Sequence, residues 1–341
     1  MKRMYGVVIP MVTPLTEDDH VDVLSLQRLT DFLIDKGVDC LYPCGTTGEM
    51  AYLTDDERIL VVETVVRQAA GRVPVLAQGG GALVQRKDVG FYGGIFLLAH
   101  GQAADHIAKG GVPVFAQVGA ANTSSTIRLA QHAAACGADG VGVVTPWYFQ
   151  LSDDALLSYY KEVSDSVPAD FPIYMYGIPQ NAVNDITPAL AERVAQACPN
   201  VVGVKYSYPD MTRLQQLMTV RNGAFDVLVG PDHLYEAVVA VGGKGVISGN
   251  AMIVSEHYVA VREAMARNDW ASATRLQRKT NVLNAILCAK NNIGCYKAIL
   301  KQWGIIETAR MRKPMEEVSA EDTAALMKAL EEAEYKTVPA V

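Results

Sequence analysis

Lys205 closes the run Val201-Val202-Gly203-Val204-Lys205, which is too short for a helix and rich in β-branched residues. Such a run reads as a buried parallel strand. A lysine at its end must pair with an acid, reach out to water, or serve as an uncharged amine. Burial disfavours the ammonium form, and the free amine is a nucleophile for carbonyl carbons. Taken alone, Lys205 is better explained as a solvated strand end. Two other segments bear on the choice: Gly45-Thr46-Thr47-Gly48-Glu49 and Tyr176-Gly177-Ile178-Pro179.

The first segment offers two hydroxyls and pliant backbone beside the start of a helix. Exposed N–H groups and the helix dipole there suit a small carboxylate without an arginine. A β-turn followed by a helix cap explains the same residues equally well. Glu49 reads as a structural hydrogen-bonding group rather than a catalytic one. In the second segment Tyr176 precedes a Gly-Ile-Pro turn. A phenol there could hydrogen-bond to an imine or carbinolamine and relay protons through a neighbouring hydroxyl. The commoner fate of a lone tyrosine is a ring in the core with its hydroxyl satisfied. Its place on the strand next to that of Lys205 argues for the chemical role.

These residues need a frame that turns strand ends toward one another. Short apolar runs alternate with amphipathic stretches along most of the chain. The strands are predicted at Gly6–Pro10, Cys40–Cys44, a Val-Pro-Val segment, Gly140–Val144, Ile173–Tyr176, Val201–Lys205, Val227–Val229 and Gly245–Ser248. Helices are predicted between them, with start signals such as Thr54-Asp55-Asp56-Glu57 and Thr187-Pro188. Eight strands with intervening helices point to an α/β fold, a (β/α)8 TIM barrel. A doubly wound open sheet is the alternative, but no Gly-x-Gly-x-x-Gly follows the first strand. Residues 1–250 would form the barrel, and 251–341 a C-terminal helical region.

Val73-Pro74-Val75-Leu76-Ala77-Gln78 recurs as Val112-Pro113-Val114-Phe115-Ala116-Gln117, although a barrel of eight strands has room for only one copy. The later copy is the better third strand, because Gly119-Ala120-Ala121-Asn122-Thr123 leads from it into a well-formed helix. The Gly-rich stretch 79–111 is then an insertion at the end away from the chemistry. The opposite choice would make it a lid.

Barrel enzymes place their chemistry at the carboxyl ends of the strands. That rule selects Gly45 to Glu49, Thr145-Pro146-Trp147-Tyr148, Tyr176 and Lys205. It rejects Lys244, which precedes its strand.

The chain has 341 residues, half of them apolar and a fifth charged, with a net charge of -7. This composition fits a globular enzyme and lacks the clustered basic face of a nucleic-acid binder. The segment Met1-Lys2-Arg3-Met4-Tyr5-Gly6 has no secretion-signal pattern, and no apolar stretch approaches membrane-spanning length. The six cysteines are scattered without Cys-x-x-Cys spacing. They read as reduced thiols of a cytoplasmic protein, and the histidines show no metal-ligand spacing.

At these residues the chain resembles the dihydrodipicolinate synthase / N-acetylneuraminate lyase family of class I aldolases. The resemblance rests on Gly45-Thr46-Thr47-Gly48-Glu49, Thr145-Pro146-Trp147-Tyr148, Tyr176-x-x-Pro179, Gly203-Val204-Lys205 and Gly242-Gly243-Lys244-Gly245-Val246-Ile247-Ser248. It implies that Lys205 forms a Schiff base with pyruvate or a related 2-oxo acid, with no cofactor or metal. Thr46 and Thr47 would hold the carboxylate, mainly through Thr47 and backbone N–H groups such as that of Gly45. Tyr176 would be the general acid/base, with Thr46 and Tyr148 completing a proton relay. Tyr148 would tend toward the site of an adjoining subunit. Gly230 and Ile247 match positions lining the pocket, and the family implies a homotetramer built as a dimer of dimers.

One departure bears on the second substrate, an aldehyde. The family's dihydrodipicolinate synthases carry an arginine shortly after Tyr-x-x-Pro, and this chain has Asn181 there. A neutral amide cannot make arginine's bidentate charged pair with a carboxylate. Asn181, Asp232, His233 and Asn250 instead suggest a polar pocket for a hydroxylated, sugar-acid-like substrate. The alternatives are 4-hydroxy-tetrahydrodipicolinate synthase, a dehydratase using the same lysine, and a non-catalytic 2-oxo acid binding protein.

Overall fold

In a computed structural model of the chain, the residues described are 3–49, 52–54, 57, 60, 61, 64, 65, 68, 77, 78, 115–135, 140–288 and 292–338. Among them run nine strands: β1 (Gly6–Pro10), β2 (Cys40–Tyr42), β3 (Ala77–Gln78), β4 (Phe115–Gln117), β5 (Gly140–Val144), β6 (Ile173–Gly177), β7 (Val201–Tyr206), β8 (Asp226–Val229) and β9 (Gly245–Ile247). The chain divides into two compact units, Met1–Tyr5 with Pro74–Ile247 and Gly6–Val73 with Ser248–Val341.

In the first unit β3 to β9 pair in chain order, every neighbour parallel. Helices Thr123–Ala135, Asp153–Asp165, Pro188–Ala197, Met211–Met218 and Tyr235–Ala240 alternate with the strands. Sequential parallel strands with intervening helices are the (β/α)8 barrel architecture predicted from the sequence. The apolar runs of β5, β6 and β7 are buried almost throughout, as expected of strands covered on both faces. Two cross-strand pairs set a glycine against a tyrosine. A Cβ on Gly203 would lie 2.6 Å from the Tyr174 ring, and one on Gly177 would lie 2.8 Å from that of Tyr206. Each glycine therefore admits the neighbouring ring.

Local sequence starts these helices. Ser152, Thr187 and Asp210 each accept a hydrogen bond from the backbone N–H three residues on, which satisfies a donor that the first turn would otherwise leave open. Arg3 and Tyr174 both donate to Asp226, each at 2.8 Å.

The second unit contains β1 paired parallel with β2 and the helix Val23–Asp35. Thr54 and Glu57 form a capping box, each bonding the other's backbone N–H at 3.3 and 2.8 Å. The predicted C-terminal helical extension is Ser255–Ala266, Trp270–Leu287, Asn292–Gln302 and Ala320–Glu332.

The expectation that only one Val-Pro-Val copy is a strand requires correction. Ala77–Gln78 pairs with Ala116–Gln117, equivalent residue against equivalent residue. Both copies carry the same β-branched, small and amide residues, so both meet the demands of a parallel strand. The predicted insertion at 79–111 lies outside the described residues.

Candidate active site

The first unit brings Lys205 and Tyr176 together. They are direct register partners on β7 and β6, so both side chains emerge from the same face of the sheet. The Lys205 ammonium nitrogen lies 4.1 Å from the centre of the Tyr176 ring, a cation–π contact. Lys205 is half-buried and Tyr176 buried. The ring packs with Val144, Ala182 and Ile178, which leaves an amine at the edge of an apolar wall with a phenol beside it.

The neighbouring tyrosine differs. Tyr206, one residue past Lys205 and on the opposite face, donates to Asp185 at 2.9 Å. Burial and that carboxylate push its phenol well up, so it holds its proton. Arg213 pairs with the same Asp185 and also donates to the Tyr206 oxygen. Its guanidinium is thereby committed to a structural cluster.

Past β7, Gly230 allows a close approach: a Cβ there would lie 2.2 Å from the Ser207 hydroxyl. Gln180 donates to the Ser207 carbonyl at 2.7 Å. Ile247 ends β9 with its side chain buried. Lys244, rejected from the sequence, precedes β9 and is exposed.

Tyr148 sits in the loop that follows β5. Its φ is +80°, an uncommon conformation for a residue with a side chain. The residue is 80% exposed, and its ring meets that of Phe149 edge-on at 4.9 Å. Asn181 lies on the short helix Pro179–Ala182 and is exposed. Neither that helix nor the residue that pins the Tyr148 loop, Asn184, was found from the sequence. The polar residues Asn184, Asp185 and Thr187, interrupted by Ile186, carry no pattern that marks one of them as buried.

The second unit contains the Gly45–Glu49 segment. The segment is a tight turn, and Thr54, read from the sequence as a helix start, is the capping residue that follows it. Gly48 and Glu49 donate their N–H groups to the carbonyls of Gly45 and Thr46 at 3.0 and 3.1 Å. Thr13 caps the Gly48 carbonyl at 2.8 Å. A Cβ on Gly48 would crowd the Met11 carbonyl at 3.0 Å, so the turn demands glycine there. Gly45 is buried, Thr46 exposed and Thr47 half-buried.

Glu49 is structural, as the sequence suggests, and its partner was missed. Its carboxylate lies 2.5 Å from the Lys297 ammonium, with both side chains fully buried. It also accepts the Arg312 backbone N–H at 2.9 Å, while Lys297 donates to the Arg310 carbonyl at 2.6 Å. A lysine immediately before the apolar run Ala298-Ile299-Leu300 was the available sign that an acid had to be near. Asn250, suggested for the second-substrate pocket, lies in the same unit. It is buried, accepts from the Tyr296 hydroxyl at 2.7 Å and donates to the Cys288 sulfur at 3.3 Å. Asp232 and His233 lie in a short 3₁₀ turn of the first unit.

Among the described residues, no three His, Cys, Asp or Glu side chains gather as a metal site requires. No described helix is long and apolar enough to cross a membrane.

Comparison with known proteins agrees with this geometry. The Dihydrodipicolinate synthetase family matches residues 3–86 and 101–333. A 4-hydroxy-tetrahydrodipicolinate synthase of Methanosphaerula palustris is 30% identical over 330 residues, 95% of this chain and 98% of the relative. One from Legionella pneumophila is 30% identical over 96% of this chain and 98% of its own. Among solved structures, the dihydrodipicolinate synthase of Aquifex aeolicus superposes with a TM-score of 0.78 at 28% identity, covering 97% of this chain and 99% of that one. The chloride-inhibited enzyme of Acinetobacter baumannii, solved with pyruvate, gives a TM-score of 0.79 at 26% identity over 98% and 100% of the two chains. A lysine and a phenol on adjacent barrel strands, within a match that spans nearly the whole chain, make this protein a member of the dihydrodipicolinate synthetase family of Schiff-base lyases and aldolases.

Proposed function

We propose that this protein is a pyruvate-dependent aldolase or lyase whose second substrate is a hydroxylated aldehyde. The reaction starts with attack of the neutral Lys205 amine on the C2 carbonyl of pyruvate. The resulting carbinolamine loses water to give a protonated imine. That imine is an electron sink, so C3 releases a proton and the enamine attacks the aldehyde carbon. Hydrolysis of the product imine frees a 4-hydroxy-2-oxo acid and restores the amine; the reverse sequence cleaves such an acid.

Tyr176 supplies and removes the proton at the carbinolamine and at the aldehyde oxygen. Thr46 and Tyr148 relay it, and Thr47 with the Gly45 backbone holds the pyruvate carboxylate. Gly230 and Ile247 line the pocket. These roles rest on family membership, and the 4.1 Å contact of Lys205 with the Tyr176 ring is the observation that carries the reading. The family also supports a cytoplasmic homotetramer built from dimers.

Asn181 carries the choice of aldehyde. It occupies the position where the family's synthases have a carboxylate-gripping arginine, and Arg213 is already held by Asp185. The second reading is 4-hydroxy-tetrahydrodipicolinate synthase itself, favoured by the activity for which the relatives are named.

Borohydride reduction with pyruvate, followed by intact mass, should give an adduct on Lys205. A panel of aldehydes should then show faster turnover with neutral hydroxylated members than with carboxylate-bearing ones. Asn181→Arg should shift that preference toward the carboxylates by about tenfold, the value of a charge-assisted pair. Wild-type preference for a carboxylate-bearing aldehyde would establish the second reading instead. No adduct with any 2-oxo acid would remove both.

A further inference from the structure

Asn184 is buried, with 3% of its surface exposed, and its side-chain amide is spent entirely on one loop. Nδ2 donates to the carbonyls of Pro146 and Phe149 at 2.7 and 2.8 Å. Oδ1 accepts the Leu151 N–H at 2.8 Å. The Asn184 carbonyl in turn accepts the Thr145 hydroxyl at 3.0 Å. Four hydrogen bonds therefore join this one residue to the stretch 145–151, the loop that carries Tyr148. Both donors and the acceptor of the amide are used, so no other side chain of that size reproduces the pattern.

The two segments so joined are both strained. Tyr148 has φ +80°, and Val183, immediately before Asn184, has φ +66°. A β-branched residue in that region is a genuine outlier, held there only when its surroundings over-determine it. Asn184 supplies that constraint. It also lies three residues beyond Asn181 on the segment that begins at Tyr176.

We propose that Asn184 is a positioning residue for Tyr148, fixing the 146–151 loop so that the phenol is held ready for proton relay. The inference rests on the reading of Tyr148 as a relay group. Asn184 also ties that loop to the segment carrying Tyr176 and Asn181, so the acid/base residues and the second-substrate position move as one body. It touches no reacting atom itself. Loss of the amide leaves two carbonyls and one N–H without their partners and frees the loop from its strained path.

The test compares wild-type, Asn184→Ala, Tyr148→Phe and the double variant in the full-length protein. Asn184→Ser is included as a second truncation that keeps a polar atom at the site. Borohydride trapping with pyruvate reads imine formation, and steady-state kinetics read turnover. Chymotrypsin cleavage at Trp147, Tyr148 and Phe149 reads loop order directly. Asn184→Ala should trap pyruvate as wild-type does and keep its KM for pyruvate, while kcat falls by about 10²-fold, the usual worth of a positioned acid/base. Cleavage in the loop should quicken by about tenfold or more as local opening becomes easier. In the Tyr148→Phe background the same substitution should lower kcat little further, because both changes disable one group.

A folded Asn184→Ala or Asn184→Ser with wild-type kcat and unchanged cleavage overturns the proposal. So does a loss fully additive with that of Tyr148→Phe. If neither truncation folds, the residue is structural for the unit at large and the proposal fails. Wild-type kcat in Tyr148→Phe, with trapping intact, removes instead the relay reading on which it stands.

Discussion

Lys205 and Lys297 are both lysines set in apolar surroundings, and the structure treats them in opposite ways. Lys297 has no exposed side-chain surface, with Glu49 2.5 Å from its ammonium and the Arg310 carbonyl at 2.6 Å. Burial pushes its pKa down while Glu49 opposes the shift. Lys205 is half-buried at a strand end, over the face of Tyr176. Burial alone therefore does not make a lysine a nucleophile. A fully enclosed ammonium held by a carboxylate and a carbonyl has no approach for a carbonyl carbon. A half-buried amine beside a phenol is the arrangement that the proposed Schiff-base role needs.

The contrast is broken most directly at its reactive end. Lys205→Ala should lose turnover by at least about 10³-fold, as removal of a covalent nucleophile does, with an unchanged melting temperature and no borohydride adduct. An adduct that persisted on another lysine would end the distinction between the two sites.

Lys297→Met should act on stability instead. It strands the Glu49 carboxylate, which costs about 3–5 kcal/mol for a buried pair deprived of one partner. Chemical denaturation should show the loss, while the folded fraction still traps pyruvate at Lys205. Glu49→Gln combined with Lys297→Met should recover most of it, because an apolar–amide contact leaves no uncompensated charge. A double variant as unstable as the sum of the singles would mean that the two groups do not act as a pair.

His257 supplies the smallest effect and a third way to keep a base in the interior. Its Nε2 donates to the Tyr335 carbonyl at 2.7 Å and its Nδ1 has no hydrogen-bond partner among the described residues, so the ring is held neutral. Burial lowers its pKa, with the Tyr335 carbonyl partly opposing. Protons therefore bind the unfolded chain more readily. The stability that this neutral ring contributes is complete above about pH 6.5, the ordinary value. It is lost as pH falls below that toward the lowered folded value, by up to about 1.4 kcal/mol per pH unit. Urea midpoints between pH 7.5 and 5 should fall in the wild-type and flatten in His257→Gln. An equal slope in both would assign the pH dependence to other groups.

Much of the frame was legible because its signals are local. The β-branched runs gave β1 and β5 with their observed bounds, and Ser152, Thr187 and Asp210 mark helix starts through bonds spanning three residues. The pairing of Lys205 with Tyr176 followed from strand order, since parallel neighbours with their active ends aligned put equivalent positions side by side. The repeated Val-Pro-Val-x-Ala-Gln misled by another route. The rule of eight strands allows one copy, yet both satisfy the local demands of a strand and pair with each other.

The sequence by itself determined the order of the strands, the lysine at the end of one and the phenol on the next. Each depends on residue type and on spacing within a few positions. Only the tertiary structure decided which polar side chains are spent internally. Glu49 finds Lys297 far along the chain, and Asn184 finds the 146–151 loop more than thirty residues away. Asn250 bonds Tyr296 and Cys288 through its amide, about forty residues on. Such pairings are set by the demand that every buried polar group be satisfied, and the chain can meet that demand only once distant segments are packed.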